Sequence, residues 1–272
     1  MAQADEWVPA GIDTERPSPA RMYDYLLGGA HNFAVDRKAA EQAIAIDPEV
    51  AQAAWVNRAF LRRAVEFLVG AGVRQYLDIG SGIPTVGHVH EIAQRAAPQS
   101  RVVFVDIDPV AVAHSRLILA GNDRTAVIQE DVRRPDRILE APEVRRMVDL
   151  GQPVAVLAVG LFHFVSDADD PAGIVSRLAA PLASGSFLAL SHGTEDGPRR
   201  AAMIKTRELF ARATGVELTW RSQPQVEALF DGFDLVEPGL VWTPSWRPES
   251  PEDLYVDRPE ETGYYAGVGR RP

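Results

Sequence analysis

Five short runs of apolar and β-branched residues, RQYLDI (74–79), RVVFVDI (101–107), TAVIQE (125–130), PVAVLAVG (153–160) and SFLALSHG (186–193), are each separated by a stretch long enough to hold a helix. Strands that are apolar on both faces need cover on both sides, and alternating strands and helices supply it through right-handed crossovers. The chain is therefore expected to fold as an α/β sandwich, a doubly wound, mainly parallel sheet with helices on each face. Two further runs, DLVEPGLVWT (234–243) and GYYAGVGR (263–270), read as a closing pair that brings the sheet to seven strands. Ahead of the first run, residues 47–72 read as a long helix with Asp47 as N-cap, Pro48 in the first turn and a stop at Gly70 or Gly72. The same Asp-Pro opening recurs at Asp108-Pro109 and Asp170-Pro171. Residues 1–20 hold prolines and no apolar period, and read as a loosely held arm, with order starting near RMYDYLLGG. The expected division is an N-terminal arm and helical cap over residues 1–70 and a sheet-based core over 71–272.

Composition narrows the partners. A chain of 272 residues with 46% hydrophobic content can bury a full core. Its net charge of −10 opposes a phosphate-rich nucleic-acid partner and leaves small molecules or proteins. The chain has no cysteine, which removes disulfides, Cys-ligated zinc and thiol nucleophiles. The start MAQADEWVPAGIDTERPSPA lacks the basic and then apolar order of a signal peptide. The longest apolar run, PVAVLAVGLFHFV (153–165), is shorter than the roughly 20 residues of a membrane-spanning helix. A cytoplasmic, membrane-free location is the expectation.

In an open parallel sheet, ligands sit beyond the carboxyl ends of the strands, so the loop in YLDIGSGIPT (76–85) is the place for one. Gly80 and Gly82 have the spacing of a dinucleotide loop, but Thr85 stands where that fingerprint needs a small residue, and Asp78 aims a carboxylate where two phosphates would lie. S-adenosylmethionine carries an ammonium and a sulfonium and no phosphate, and suits an acidic, glycine-lined floor. Asp106, at the end of the second run, can accept both hydroxyls of a ribose, and Asp131, after the third, can accept from an adenine amino group. Singly these residues also read as a solvated strand-end carboxylate, a turn residue and a helix cap; their ordered recurrence favours one ligand.

Together with PSPARMYDYLLGGAHNFAVDR, IPTVGHVHEIAQ, VDIDPVAVAHSR, EDVRRPDRIL, LFHFVSDADDP, LALSHGTED, FDGFDLVEPGLVWTPSWRPE and YYAGVGRRP, this loop makes nearly the whole chain resemble the S-adenosylmethionine-dependent methyltransferases of the Rossmann-like class I fold. Within that class it is similar to a bacterial family whose substrate is unassigned, departing from its pattern at His88. The resemblance implies S-adenosylmethionine as cofactor, held by Asp78, Gly80, Gly82, Asp106, Ile107, Asp131 and Val132. It implies nothing about the methyl acceptor.

His163 follows the fourth run, where the transferred methyl would point, and is a candidate general base or a packed histidine; His192 after the fifth run is a weaker candidate. His88 and His90, at spacing two, lack the helical spacing of a zinc pair, and no metal is expected. Residues 21–37 are expected to form a lid: Tyr23 and Tyr25, the hinge Gly28-Gly29, then His31, Asn32, Phe33 and Asp36. On that reading Tyr23, His31, Asn32 and Phe33 touch the cofactor, and His31 is a second candidate for catalysis. Trp242 and Trp246 read as core or edge-covering rings. The functional expectation is methyl transfer to a small-molecule acceptor. A non-catalytic sensor of S-adenosylmethionine or its demethylated product is the alternative, and a nicotinamide-dependent oxidoreductase is disfavoured by Asp78 and Thr85.

Overall fold

The five apolar runs form β1 (Gln75–Ile79), β2 (Arg101–Asp106), β3 (Thr125–Gln129), β4 (Ala155–Val159) and β5 (Phe187–Gly193), all parallel. The computed structural model describes residues 13–83 and 87–272, and within these the sheet is completed by β6 (Asp234–Leu235), β7 (Val241–Trp242) and β8 (Tyr264–Arg270). The strand order is β3-β2-β1-β4-β5-β8-β6, with β7 also paired to β8, and β8 runs antiparallel to β5. The order reverses between β1 and β4, so a crevice opens at their carboxyl ends. The expected DLVEPGLVWT strand is two short strands, which raises the count from seven to eight. Pro238 has no N–H to give the ladder, and a turn closed by Gly239 N–H donating to Val236 O (2.8 Å) separates the halves.

Side-chain alternation along each strand builds a core on both faces of the sheet. Leu77, Ile79, Val103 and Val156 pack against α6 (Pro135–Glu140), α7 (Pro142–Met147), α8 (Pro171–Ala179) and α10 (Gln223–Glu227) through Ile138, Val144, Ile174 and Val226. Tyr76, Val102, Phe104 and Leu157 face the long α3 (Val50–Gly70), α4 (Val89–Ala96) and α5 (Pro109–Ile118) through Phe60, Ala64, Leu68, Ile92 and Val112. Trp246 lies in this second core, fully buried and edge-on to Phe60 and Phe67, while Trp242 stacks on Tyr265 at 4.1 Å. A smaller cluster joins α1 (Pro19–Leu26), α2 (Ala34–Ile46) and α9 (Arg200–Thr214) through Met22, Leu26, Ala40 and Phe210. The cap over the sheet is thus assembled from both the start and the later part of the chain. Among the described residues no helix is long and apolar enough to cross a membrane.

Two helix starts differ from expectation. The first begins at Pro19, inside the region read as a loose arm, with Ser18 as N-cap; residues 1–12 lie outside the described part. The long α3 begins at Val50 behind Glu49, two residues later than the Asp47-Pro48 signal placed it. Asp47 instead closes α2, where its carboxylate pairs with Arg199 from the start of α9. The other two openings behave as expected: Asp108 Oδ1 accepts from Val110 N at 2.7 Å, and Asp170 Oδ1 from Gly173 N at 3.0 Å, with proline in each first turn.

Candidate active site

A cleft of about 740 Å³ lies over the carboxyl ends of β1 to β4, floored by residues 78–82, 106–108, 130–133 and 159–161. Asp78 is on the α3 side of β1, and Arg58 of α3 also lines the cleft. Burial pushes the Asp78 carboxyl up to about 7 against the pull of Arg58, and Asp106 adds to the rise. Burial likewise takes Asp106 up to about 6, although its Oδ2 accepts from Gly82 N at 2.7 Å and its Oδ1 from Asp108 N at 2.8 Å. Both carboxylates are more than nine-tenths buried at neighbouring strand ends, so each favours any cation or hydroxyl that replaces the lost water.

The glycine loop needs its glycines for separate reasons. Gly80 has φ +69°, and a Cβ there would come within 2.6 Å of Leu161 Cδ1. Gly82, at φ +65°, presents the N–H that Asp106 accepts. Thr85, whose bulk spoke against a dinucleotide, lies outside the described residues. Ile107 and Val132 flank the cleft beside Asp106 and Asp131. Burial raises the Asp131 carboxyl, but hydrogen bonds from Arg133 Nε at 2.8 and 3.0 Å overcome that and hold it below its ordinary range.

After β4 the chain makes a short helical turn, Phe162–Phe164, that sets His163 in the cleft wall, 4% exposed. Its Nδ1 is buried without a hydrogen-bond partner among the described residues. Burial, with His192 and Arg221 adding to it, holds this imidazole well below its usual pKa and hence neutral. The neighbouring His192 differs. Its Nδ1–H donates to Gly193 O at 2.7 Å and its Nε2 accepts from Arg221 at 2.9 Å, which fixes the tautomer and occupies the lone pair a base would need. Arg221 also donates to the carbonyls of Phe162 and Val165, both at 2.9 Å, and so clamps the turn that carries His163.

The N-terminal segment divides on inspection. Tyr23 lines the cleft together with Pro17 to Ala20 and Leu26, its hydroxyl donating to Ala54 O at 3.1 Å. His31, Asn32 and Phe33 do not line it. His31 packs its ring 4.2 Å from that of His114 on α5, and Asn32 donates to Asp24 Oδ2 and Gly29 O. Phe33 packs on Ile83, Val110 and Ala111. Tyr25 turns outward to Glu41, and Asp36 is buried beneath Arg21. His88 proves to be the N-cap of α4 and not a helical residue, so its ring stacks on His90 at 5.5 Å. No group of three or more metal-ligating side chains occurs among the described residues.

Several lining residues escaped the sequence reading. Asn57 Oδ1 accepts from Ser191 Oγ at 2.6 Å, and that oxygen accepts from Gly160 N at 2.9 Å, which joins α3 to the ends of β4 and β5. A polar Asn-Arg pair within the apolar periodicity of WVNRAF was the available signal. Met203, Phe210, Trp220 and Tyr264 complete the far wall and carried no comparable signal.

A family model for S-adenosyl methyltransferases matches residues 5–272. The structure of "a putative methyltransferase from Thermobifida fusca YX" is 41% identical, with a TM-score of 0.89, covering 98% of this chain and 99% of that one. A DUF574 family protein from Streptomyces avermitilis MA-4680 is 40% identical at a TM-score of 0.90, covering 96% of this chain and 99% of that one. Human N-acetylserotonin methyltransferase, solved with its S-adenosylmethionine, shares the fold alone, at 14% identity and a TM-score of 0.50 over 94% of this chain and 63% of that one. No curated protein matches the chain. An order-reversing parallel sheet, acids at successive strand ends and a family match over almost the full length lead to one conclusion: the chain belongs to the S-adenosyl methyltransferase family and is an S-adenosylmethionine-dependent methyltransferase.

Proposed function

We propose that the chain moves the methyl group of S-adenosylmethionine to a small-molecule acceptor inside this cleft. The observation that carries the reading is the pair of buried strand-end carboxylates, Asp78 and Asp106, which lie under a cavity large enough for two small ligands. The residues suit the cofactor's parts. Asp106 would take the ribose hydroxyls, since each of its oxygens has a lone pair beyond the one given to a backbone N–H. Asp78 would pair the ammonium, and Arg58, whose Nε is buried without a partner among the described residues, would meet the carboxylate. Ile107 and Val132 would flank the adenine, with Asp131 and the loop of Gly80 and Gly82 at its two ends. Tyr23 would cover the ribose side, while His31, Asn32 and Phe33 brace the cover from outside the cleft.

When bound, the cofactor supplies a carbon already activated toward displacement. The protein is then left with positioning, exclusion of water and, for an acceptor that carries a proton, acceptance of that proton by the neutral imidazole of His163. His31, packed on α5, has no part in this scheme. Titration calorimetry of the full chain with S-adenosylhomocysteine and with NAD tests the cofactor assignment: the first should bind with micromolar or better affinity and the second not at all. Equal binding of both, or of neither, would remove the assignment. Turnover on a panel of small metabolites tests the transfer itself.

A further inference from the structure

Beyond the strand-end acids the cleft changes character. Its far wall is built by Phe164, Phe210, Trp220 and Tyr264. Three of these rings pack around His163, with centroids 4.5 Å away for Phe164, 5.4 Å for Trp220 and 5.9 Å for Tyr264. Trp220 is fixed from behind, where its Nε1 donates to Met203 O at 3.0 Å. Rigid rings arranged in this way favour a flat guest that stacks or meets them edge-on. Set among them is a polar atom that the fold leaves unused, the buried Nδ1 of His163. A buried nitrogen without a partner is costly unless a ligand satisfies it, and its neighbour His192 is fully satisfied by Gly193 and Arg221.

We propose that the methyl acceptor is a flat aromatic molecule bearing a neutral hydroxyl, held between these rings with its O–H on the imidazole of His163. The proposal rests on the cofactor reading above and names the acceptor class for the same site. Charge selects among the alternatives. An aliphatic amine is an ammonium at neutral pH and would enter beside the cofactor's sulfonium. A carboxylate would enter above Asp78 and Asp106. An aromatic hydroxyl arrives uncharged and, with an intrinsic pKa of roughly 10 as for tyrosine, is acidic enough for an imidazole to assist. In the step, a lone pair of the acceptor oxygen forms the new C–O bond, the C–S bonding pair returns to sulfur, and the hydroxyl proton passes to His163. One positive charge leaves sulfur as one arrives on the ring, so the net charge of the cleft does not change.

The test is binding, read by calorimetry on the full chain saturated with S-adenosylhomocysteine, using β-naphthol, β-naphthoate, β-naphthylmethylamine and cyclohexanol as probes. β-Naphthol should bind about tenfold or more tighter than each of the others. His163→Phe and Trp220→Ala should each weaken β-naphthol about fivefold or more and leave the affinity for S-adenosylhomocysteine within about twofold. With S-adenosylhomocysteine bound, naphthoate or the amine binding as tightly as the naphthol would overturn the acceptor class alone. So would an unchanged naphthol affinity in a folded His163→Phe chain. Failure of S-adenosylhomocysteine to bind would overturn the cofactor reading and the class with it. Should His163→Phe not fold, the probe series on the unaltered protein decides the matter.

Discussion

The oxygens of Asp106 each accept one backbone N–H, from Gly82 and from Asp108, and this fixes the carboxylate at the end of β2 without exhausting it. Asp106→Asn keeps the shape and removes the charge, so the affinity for S-adenosylhomocysteine should fall by roughly 1.5–3 kcal/mol, about ten- to a hundredfold. The unliganded melting temperature should also drop, because the amide NH2 cannot accept one of the two backbone N–H groups, a loss that removal of a buried charge partly offsets. Protonation gives a second handle on the same group. Burial lifts Asp78 to about 7 and Asp106 to about 6, so the folded chain holds protons that the unfolded chain has already released. Their contribution to stability is therefore full in acid and declines as pH rises from about 4 to about 7. A ligand that brings an ammonium and ribose hydroxyls favours the ionised forms, so its affinity should run the other way. The dissociation constant for S-adenosylhomocysteine should fall by about tenfold or more from about pH 5.5 to about pH 7.5, with a shallower slope in Asp106→Asn. A flat profile in the unaltered chain would mean that these carboxylates do not meet the ligand.

At the scale of elements, α1 is held more by charge than by length. Its eight residues are too few to persist alone, and Arg21 Nε pairs with Asp36 of α2 at 2.8 Å, both groups buried. Asp36 also accepts from Ser18 N at 2.9 Å and Phe33 N at 2.8 Å, so one carboxylate joins the start of α1 to the start of α2. Asp36→Asn takes the nearer carboxylate from the buried Arg21 and leaves it only Asp108 at 3.8 Å, so local stability should drop by roughly 3 kcal/mol, the low end for a broken buried pair. Hydrogen exchange in residues 18–27 should then speed up by about a hundredfold or more while β1 to β5 keep their protection. Unchanged exchange there would show that the apolar contacts of Met22 and Leu26 suffice. This tether was not legible in the sequence, where Arg21, Asp36 and Asp108 are scattered charges. The sheet was, because strands with two apolar faces leave few other folds open. The start of α3 was misread for the same reason that the tether was missed. Asp47 and Pro48 form a sound local signal, but a residue 152 positions away, Arg199, takes the carboxylate.

For the molecule as a whole, the legible half of the site was the half that a parallel sheet organises. Each of β1 to β5 delivers its carboxyl end to the same edge, so Asp78, Asp106 and Asp131 could be aligned by counting strands. The far wall could not. Phe210, Trp220 and Tyr264 reach the cleft from α9, the segment after it and an antiparallel strand, and local spacing does not encode which of their faces points inward. Because both halves close on one cavity, ligand binding should register in global stability. S-adenosylhomocysteine at about a hundred times its dissociation constant should add roughly 2.7 kcal/mol, a rise of about 5–8 °C in melting temperature for a chain of this size. An unmoved transition at saturation would mean that the ligand is not held by the folded cleft. The fastening of α1 bears on time as well as on energy. Ser18 and Arg21 both reach Asp108, two residues beyond Asp106, while Tyr23 and Leu26 roof the cleft. Where exchange of the cofactor passes beneath α1, this latch opens once in every cycle, to discharge the spent cofactor and admit fresh. The ceiling on throughput is then the opening frequency of an eight-residue helix, and a chain with a weakened latch would trade tight product retention for faster exchange.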